Sequence, residues 1–207
     1  MSMLAYPLSR PNYKYKKIAT FFIFFTMLFS GGLIPTYIWI TRYLHLGDTI
    51  WVYILPCLVN AFHVIVIRSF FQGLPQALME SAKIDGASEL QTFFKIVMPL
   101  SKPVIATISL LTLLSRWNDW NTALIYIKSS NLYSLQYLLQ KILREAEFVK
   151  NMAESSPVAG VDLDLSNLPS VTIRFAMCMV AAGPMLIIFP FFQKYFAKGL
   201  TVGAVKG

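Results

Sequence analysis

Long apolar segments alternate with shorter polar segments along this chain of 207 residues. The apolar windows cover residues 18–40, 50–71, 104–127 and 171–192. Each is close to the roughly 20 residues that a helix needs to cross a hydrocarbon core about 30 Å thick. The pattern predicts an all-α fold, a polytopic membrane helical bundle with four transmembrane helices in one domain.

The polar segment 72–102 separates the second and third windows and predicts a helical hairpin. Good helix formers run from about Leu74 to Asp85, and Gly86 follows where the chain must turn out of the helix. Ser88 and Gln91 have the spacing of a capping box, which opens a second helix that reaches Pro99. We therefore expect two short helices joined by a tight turn.

The polar segment 128–170 is partly amphipathic. Its apolar residues recur at helical spacing: Leu132, Leu135, Leu138, Leu139 and Ile142. Its charged residues gather on another face: Lys141, Arg144, Glu145 and Glu147. Two interpretations remain open, a helix lying on the protein or the membrane surface, and a docking element for an extracellular partner. Pro157, Gly160 and Pro169 then predict a flexible return to the last window.

Composition and charge agree with a membrane protein. Hydrophobic residues make up 56% of the chain and charged residues 14%, whereas soluble domains are about 25% charged. The net charge of +8 does not indicate nucleic-acid binding, because the basic residues sort by membrane side. One side carries Arg10, Lys14, Lys16, Lys17, Arg68, Lys83, Lys95, Lys102, Lys194, Lys198 and Lys206. The positive-inside rule places that side, with both termini, in the cytoplasm.

The first window also resembles a secretory signal, because a basic start precedes an apolar run and small residues at Ser30 to Gly32. The apolar run continues through Leu33 to Ile40, which a cleaved signal does not need. A membrane span is therefore the favoured interpretation.

Charged residues interrupt the third window in the stretch SRWNDWN. Arg116 and Asp119 are three residues apart, so they can pair on one helix face. Aromatic and amide side chains surround them: Trp117, Asn118, Trp120 and Asn121. One interpretation is a structural ion pair with anchoring tryptophans, and the other is the lining of a translocation path, where rings and amides suit a sugar.

Asn60 and His63 share a face of the second window with the same spacing. A polar pair satisfied by neighbouring helices and a lining of the translocation path are both open. Neither histidine in the sequence stands beside a nucleophile and a carboxylate in a way that indicates catalysis. We expect no catalytic residue, no metal site and no cofactor.

The segment 72–102 resembles the cytoplasmic loop of ATP-binding-cassette (ABC) importer permeases. The matching positions are Glu80, Ala82, Gly86, Ile96 and Pro99, and the chain departs mildly at Ser81 and Met98. Together with Ser81 and Asp85, the matching residues are the candidate residues of this loop. Further blocks resemble sugar-uptake permeases of the maltose-transporter type: SGGLIPTYI, VMPLSKPVIATISLL, WNDWNTALI and KYFAKGLTVGAVKG. They follow the family order over nearly the whole chain, and permeases for complex oligosaccharides look most similar.

The resemblance implies a permease subunit of an ATP-driven sugar importer in the bacterial cell membrane. Segment 72–102 would be the coupling loop, docked on a cytoplasmic ATPase. The implied partners are a second permease subunit in a heterodimer, two copies of the ATPase, an extracellular or periplasmic sugar-binding protein, and membrane lipid. The chain has no phosphate-binding loop of the Walker type, so nucleotide would bind to the ATPase.

Other functions remain open. A proton-coupled carrier would use Arg116, Asp119 and His63 as a relay, although it leaves segment 72–102 without a role. An ABC permease for a non-sugar solute and a scaffold without transport are further alternatives.

The resemblance also implies that family members carry more chain before Met1. The stretch LAYPLS resembles the cytoplasmic end of a preceding span. Two family spans are therefore expected upstream, and the 207 residues alone are expected to transport poorly.

Overall fold

A computed structural model describes the backbone of residues 1–155 and 171–204. These residues form helices joined by short turns, and none of them lies in a strand. The first half contains α1 (Ser2–Ser9), α2 (Lys16–Leu28), α3 (Leu33–Ile38), α4 (Trp51–Ile54), α5 (Ala61–Gln72) and α6 (Gln76–Ile84). The second half contains α7 (Glu89–Thr92), α8 (Met98–Leu100), α9 (Lys102–Trp117), α10 (Asn121–Tyr126), α11 (Leu135–Ser155) and α12 (Val171–Ala204).

One stretch within α12, Phe175–Gln193, is long and apolar enough to cross a membrane as a single helix. Three bent pairs also qualify if each pair counts as one span, which brings the number within the described residues to as many as four. The pairs are Lys16–Leu28 with Leu33–Tyr43, Trp51–Cys57 with Ala61–Gln72, and Glu89–Leu100 with Lys102–Trp117, bent by 115°, 43° and 79°.

The first two bends have local causes. Gly32 lies between α2 and α3 with a φ of 85°, a value that favours glycine. Between α4 and α5, Pro56 stands in a 3₁₀ turn, and Asn60 is extended and caps α5 by accepting the His63 backbone N–H at 3.0 Å. The prediction that Asn60 and His63 share one face of a continuous helix is therefore wrong. Asn60 is the extended residue just before α5, whereas His63 lies within that helix.

The third apolar window differs from its prediction as one helix over residues 104–127. α9 ends at Trp117, and α10 starts at Asn121. The Asn118 amide donates to the Leu114 carbonyl at 3.0 Å, and Asp119 accepts the Thr122 N–H at 3.0 Å. Short polar side chains that bond nearby backbone compete with helical hydrogen bonds, so this stretch turns although its mean hydropathy is high.

Two apolar clusters hold the described helices together. The larger one joins α1, α5, α9 and the turn after α7 through Ala5, Leu8, Val64, Ile67, Phe71, Phe93, Val97 and Ile108. The smaller one contains Ile40, Val52 and Ile127. The outer faces of α2 and α12 are strongly apolar, with Leu28 77% and Met179 76% exposed. Apolar surface of this extent suits contact with lipid.

The predicted amphipathic helix of segment 128–170 is present as α11. Ser134 precedes it, and its hydroxyl accepts the Tyr137 N–H at 3.3 Å. Lys141 and Glu145 form an exposed ion pair at 3.9 Å on this helix. The predicted flexible return at Pro157, Gly160 and Pro169 lies outside the described residues.

A carboxylate clamps the turn after α3 to the chain that follows α10. Asp48 accepts hydrogen bonds from the Ser129 hydroxyl at 2.6 Å, the Ser129 N–H at 2.8 Å and the Lys128 N–H at 2.9 Å. These bonds, led by the Ser129 hydroxyl, hold the pKa of Asp48 below its ordinary value. Its backbone N–H donates to the Tyr126 carbonyl at 2.9 Å. Residues 80 positions apart are joined in this way.

We expect Asp48→Asn to speed amide hydrogen exchange at Lys128 and Ser129 at neutral pH. A carboxyl group whose pKa is lowered by folding stabilises the folded contact above its unfolded pKa, and the contribution is lost as pH falls through the folded pKa. The difference from the unaltered chain should therefore shrink below about pH 4. Asp85→Asn, at an exposed carboxylate, is the control. If Asp48→Asn and the unaltered chain differed in exchange rate by the same factor at every pH, the Asp48 carboxylate would not hold Lys128 and Ser129 as described.

Candidate functional site

The turn between α6 and α7 has the geometry predicted from the sequence. Gly86 has a φ of 75°, and no atom lies within 4 Å of the position a Cβ would take. The Gly86 N–H donates to the Lys83 carbonyl at 3.1 Å, and the Ala87 N–H donates to the Ala82 carbonyl at 2.9 Å. This pair of bonds is a Schellman motif, which ends a helix with a left-handed residue. Backbone conformation rather than space therefore requires glycine here.

The second helix starts with the predicted capping box. The Gln91 N–H donates to the Ser88 hydroxyl at 3.2 Å, and the Ser88 N–H donates to the Gln91 side-chain oxygen at 2.9 Å. A π-helical turn, Phe93–Val97, follows α7, and Pro99 stands at the start of α8. Ring closure removes the N–H of Pro99, so regular α-helical bonding cannot continue through it.

The seven candidate residues of the permease-like loop differ in exposure. Ala82 is buried at 6% exposure, and Ile96 is half-buried. The other five are exposed: Glu80, Ser81, Asp85, Gly86 and Pro99. The most exposed large apolar side chains of the same segment are Ile84, Leu90 and Phe94, which are 86%, 67% and 53% exposed. The segment thus presents exposed apolar side chains among charged side chains of both signs, between two well-formed helix ends.

A cavity of about 300 Å³ between α3, α4, α5, α9 and α10 collects part of the predicted translocation path. Asn60, His63 and Arg116 line it together. The His63 Nδ1 lies 3.5 Å from the Thr112 hydroxyl, so α5 and α9 face each other across polar groups. The sequence placed Asn60 and His63 in the second window and Arg116 in the third, and the fold brings all three to the wall of one cavity.

Several polar liners of this cavity were missed by sequence reasoning: Thr36, Thr112, Ser115, Thr122 and Tyr126. A signal was present for two of them. Thr112, Ser115 and Arg116 stand at positions i, i+3 and i+4 of α9, so they share one face of an apolar helix. A polar stripe on an otherwise apolar membrane helix indicates a face turned away from lipid.

The predicted pair is formed, with Arg116 Nη1 donating to Asp119 Oδ2 at 2.9 Å. Asp119 also accepts the Thr122 hydroxyl at 2.7 Å. The Asp119 side chain is 12% exposed and lies outside the cavity wall, whereas the Arg116 side chain is 43% exposed and lies on it. The two partners therefore have different surroundings. Asp119 holds the turn between α9 and α10, and Arg116 lines the cavity.

The other predicted path residues lie away from this cavity. The Trp117 Nε1 donates to the Ala181 carbonyl of α12 at 2.8 Å. Trp120 faces α11, where the Arg144 guanidinium lies 5.0 Å from its ring centre. Asn118 bonds its own helix. These contacts agree with the structural interpretation of the two tryptophans, because each fastens α9 or the turn after it to a neighbouring helix.

Comparison with known proteins places the whole chain in one family. The sequence profile described as binding-protein-dependent transport system inner membrane component matches residues 2–202. The polygalacturonan/rhamnogalacturonan transport system permease protein YtcP of Bacillus subtilis is 42% identical over 212 residues, which cover 100% of this chain and 70% of the relative. The arabinooligosaccharides transport system permease protein AraQ of the same organism is 34% identical over 208 residues, which cover 100% and 66%.

A solved structure is also similar, that of a bacterial ABC transporter involved in the import of the acidic polysaccharide alginate. Its matched chain superposes with a TM-score of 0.77 at 32% identity, over 93% of this chain and 66% of that one. This chain thus spans about two thirds of the length of the proteins it matches. Profile, identity and fold agree, and the chain belongs to the family of binding-protein-dependent transport system inner membrane components.

Proposed function

We propose that this chain is a permease subunit of an ATP-driven importer that moves a sugar or oligosaccharide across the cytoplasmic membrane. The observation that carries the proposal is the match of residues 2–202 to a transport family, together with relatives named for oligosaccharide and polysaccharide uptake. Membership of that family implies that the chain is a multi-pass protein of the cytoplasmic membrane. We place both termini in the cytoplasm because they share a membrane side with most of the basic residues, and the positive-inside rule assigns that side to the cytoplasm.

Segment 72–102 is the coupling loop in this proposal, on the cytoplasmic face. Its exposed apolar side chains Ile84, Leu90 and Phe94 are suited to bury against a groove of an ATPase. The Schellman motif at Gly86 and the capping box at Ser88 hold the two helices at a defined angle. A rigid element of this kind transmits a displacement, because packed helices move as units rather than deform continuously.

The cavity lined by Asn60, His63 and Arg116 is this subunit's part of the translocation path. Its wall carries hydroxyl, amide and guanidinium groups beside apolar side chains such as Ile40 and Val52. Sugars present both hydroxyl groups and apolar ring faces, so a wall of mixed character suits them. The path is completed by a second permease subunit in a heterodimer.

The remaining partners follow from the family. Two copies of a cytoplasmic ATPase hydrolyse ATP, and an extracellular or periplasmic binding protein delivers the sugar. This chain is the transport subunit and carries out no hydrolysis itself.

ATP-dependent uptake tests the proposal. The complex that co-purifies with this chain is placed in lipid vesicles with its binding protein, and uptake of labelled neutral and acidic oligosaccharides is measured. We expect uptake that requires ATP at the ATPase face and persists when a protonophore collapses the proton gradient. Uptake that stops with the protonophore and continues without ATP would instead establish a proton-coupled carrier.

A further inference from the structure

A polar cluster joins the first helix to the second helix of the coupling loop, and sequence reasoning did not find it. The Tyr6 hydroxyl donates to Glu89 Oε2 at 2.7 Å, and Arg10 Nη2 donates to the Tyr6 hydroxyl. Arg10 Nη2 itself lies 3.8 Å from Glu89 Oε2. The Arg10 guanidinium also lies over the Tyr6 ring, 4.5 Å from its centre. We call Tyr6, Arg10 and Glu89 the α1–α7 joint.

One side of the joint is anchored in the main core. Tyr6 is 9% exposed, and its ring centre lies 5.0 Å from that of Phe93 and 6.5 Å from that of Phe71. Two residues further along α1, the Leu8 carbonyl accepts a hydrogen bond from Arg68 Nε of α5 at 3.1 Å. α1 is thus fastened to α5, and a displacement of α1 is carried into that helix.

The other side of the joint belongs to the coupling loop. Glu89 is the first residue of α7 and directly follows the capping residue Ser88. α6 buries only Ala82 among its described residues, so few contacts tie that helix to the rest of the subunit. The loop is held instead through α7 and the turn after it, where Thr92, Phe93 and Val97 are buried.

We propose that the α1–α7 joint transmits movement of the coupling loop to α1 and α5, so that Tyr6, Arg10 and Glu89 are positioning residues for transport. The inference rests on the proposed function. Apolar side chains in contact can slide past each other, whereas a hydrogen bond to a carboxylate is directional and comparatively strong. The joint is therefore suited to displace α1 and α5 when the coupling loop moves.

Arg10 has hydrogen-bonding capacity that the joint does not use. The buried Nε of Arg10 has no hydrogen-bond partner among the described residues. Its Nη2 lies 3.8 Å from Glu89 Oε2, about 0.6 Å beyond the usual range of N–H···O hydrogen bonds. A small shift of α7 toward Arg10 would replace the bond through Tyr6 by a direct bond between Arg10 and Glu89.

The test measures sugar uptake and ATP hydrolysis in the same vesicles, with the intact complex and an oligosaccharide that the unaltered complex transports. Tyr6→Phe removes the hydroxyl and keeps the ring, and Glu89→Ala removes the carboxylate. We expect each to lower sugar transported per ATP by about tenfold, the factor for one hydrogen bond to a charged group. The ATPase should still co-purify. Tyr13→Phe is the matched control, because the Tyr13 hydroxyl makes no hydrogen bond among the described residues.

Exchange of the two charges separates coupling from mere stability. In the double variant Arg10→Glu with Glu89→Arg, the Tyr6 hydroxyl can again bridge a carboxylate and a guanidinium, so we expect transport per ATP to return toward the unaltered value. Three outcomes would each overturn the proposed role of the joint. The first is an unchanged ratio of sugar transported per ATP in Tyr6→Phe and Glu89→Ala, and the second is a loss of co-purified ATPase in proportion to the fall in that ratio. The third is a double variant that transports no more sugar per ATP than Arg10→Glu alone or Glu89→Arg alone. Absence of ATP-driven uptake in the unaltered complex would count against the proposed function itself.

Discussion

Gly86→Val is expected to abolish ATP-driven uptake while the chain still inserts into the membrane. Gly86 has a φ of 75°, and a β-branched residue there carries a strain of about 1–3 kcal/mol. The strain opens the Schellman motif and changes the angle between α6 and α7. Since 1.4 kcal/mol corresponds to a factor of about ten, this strain corresponds to a loss of about 5- to 150-fold in ATPase association, and uptake should fall at least as far as association does.

Two controls isolate the backbone conformation at this turn. Gly86→Asn should keep most of the activity, because asparagine tolerates the left-handed region. Gly73→Ala should be nearly silent, since Gly73 has a φ of −80° that any residue adopts. The measurements are uptake and co-purification of the ATPase. Normal sugar-stimulated ATP hydrolysis in the Gly86→Val complex would refute the role of this turn in coupling.

Asp119→Ala is expected to lower the amount of folded subunit more than Arg116→Gln does. The change leaves the Arg116 guanidinium without its carboxylate and removes the acceptor of the Thr122 N–H and hydroxyl. Loss of a carboxylate with these bonds costs about 1–3 kcal/mol. Because Arg116 is 43% exposed, water offsets part of the cost of its unpaired charge.

A double-mutant cycle separates a structural pair from a path residue. Changing Arg116 and Asp119 together should restore part of the folded amount that Asp119→Ala loses, with a coupling energy of about 1 kcal/mol. Asp119→Asn is the matched variant, because its amide oxygen can still accept from Thr122. Arg116→Gln should lower uptake with little loss of folded protein. If the double change is no better than Asp119→Ala, Asp119 meets the solute and the structural assignment is wrong.

The form of the turn in segment 72–102 was predictable because its geometry is local. The turn at Gly86 and the capping box of Ser88 and Gln91 depend on hydrogen bonds between residues at most five positions apart. The third apolar window was less predictable as a span. Averaging of hydropathy over about 20 residues hides single turn-forming side chains, and Asn118 with Asp119 ends α9 inside that window.

The sequence by itself determined the helical membrane class, the family resemblance, the local form of the turn at Gly86 and the Arg116–Asp119 pair. Composition, periodicity and short-range hydrogen bonds decide these features. Only the tertiary structure decided which polar residues meet. It put Asn60, His63 and Arg116 on one cavity and turned Trp117 and Trp120 toward other helices. It also joined Tyr6 to Glu89 across 83 positions. Such contacts depend on how whole helices pack, and packing is set by buried surfaces from distant parts of the chain acting together.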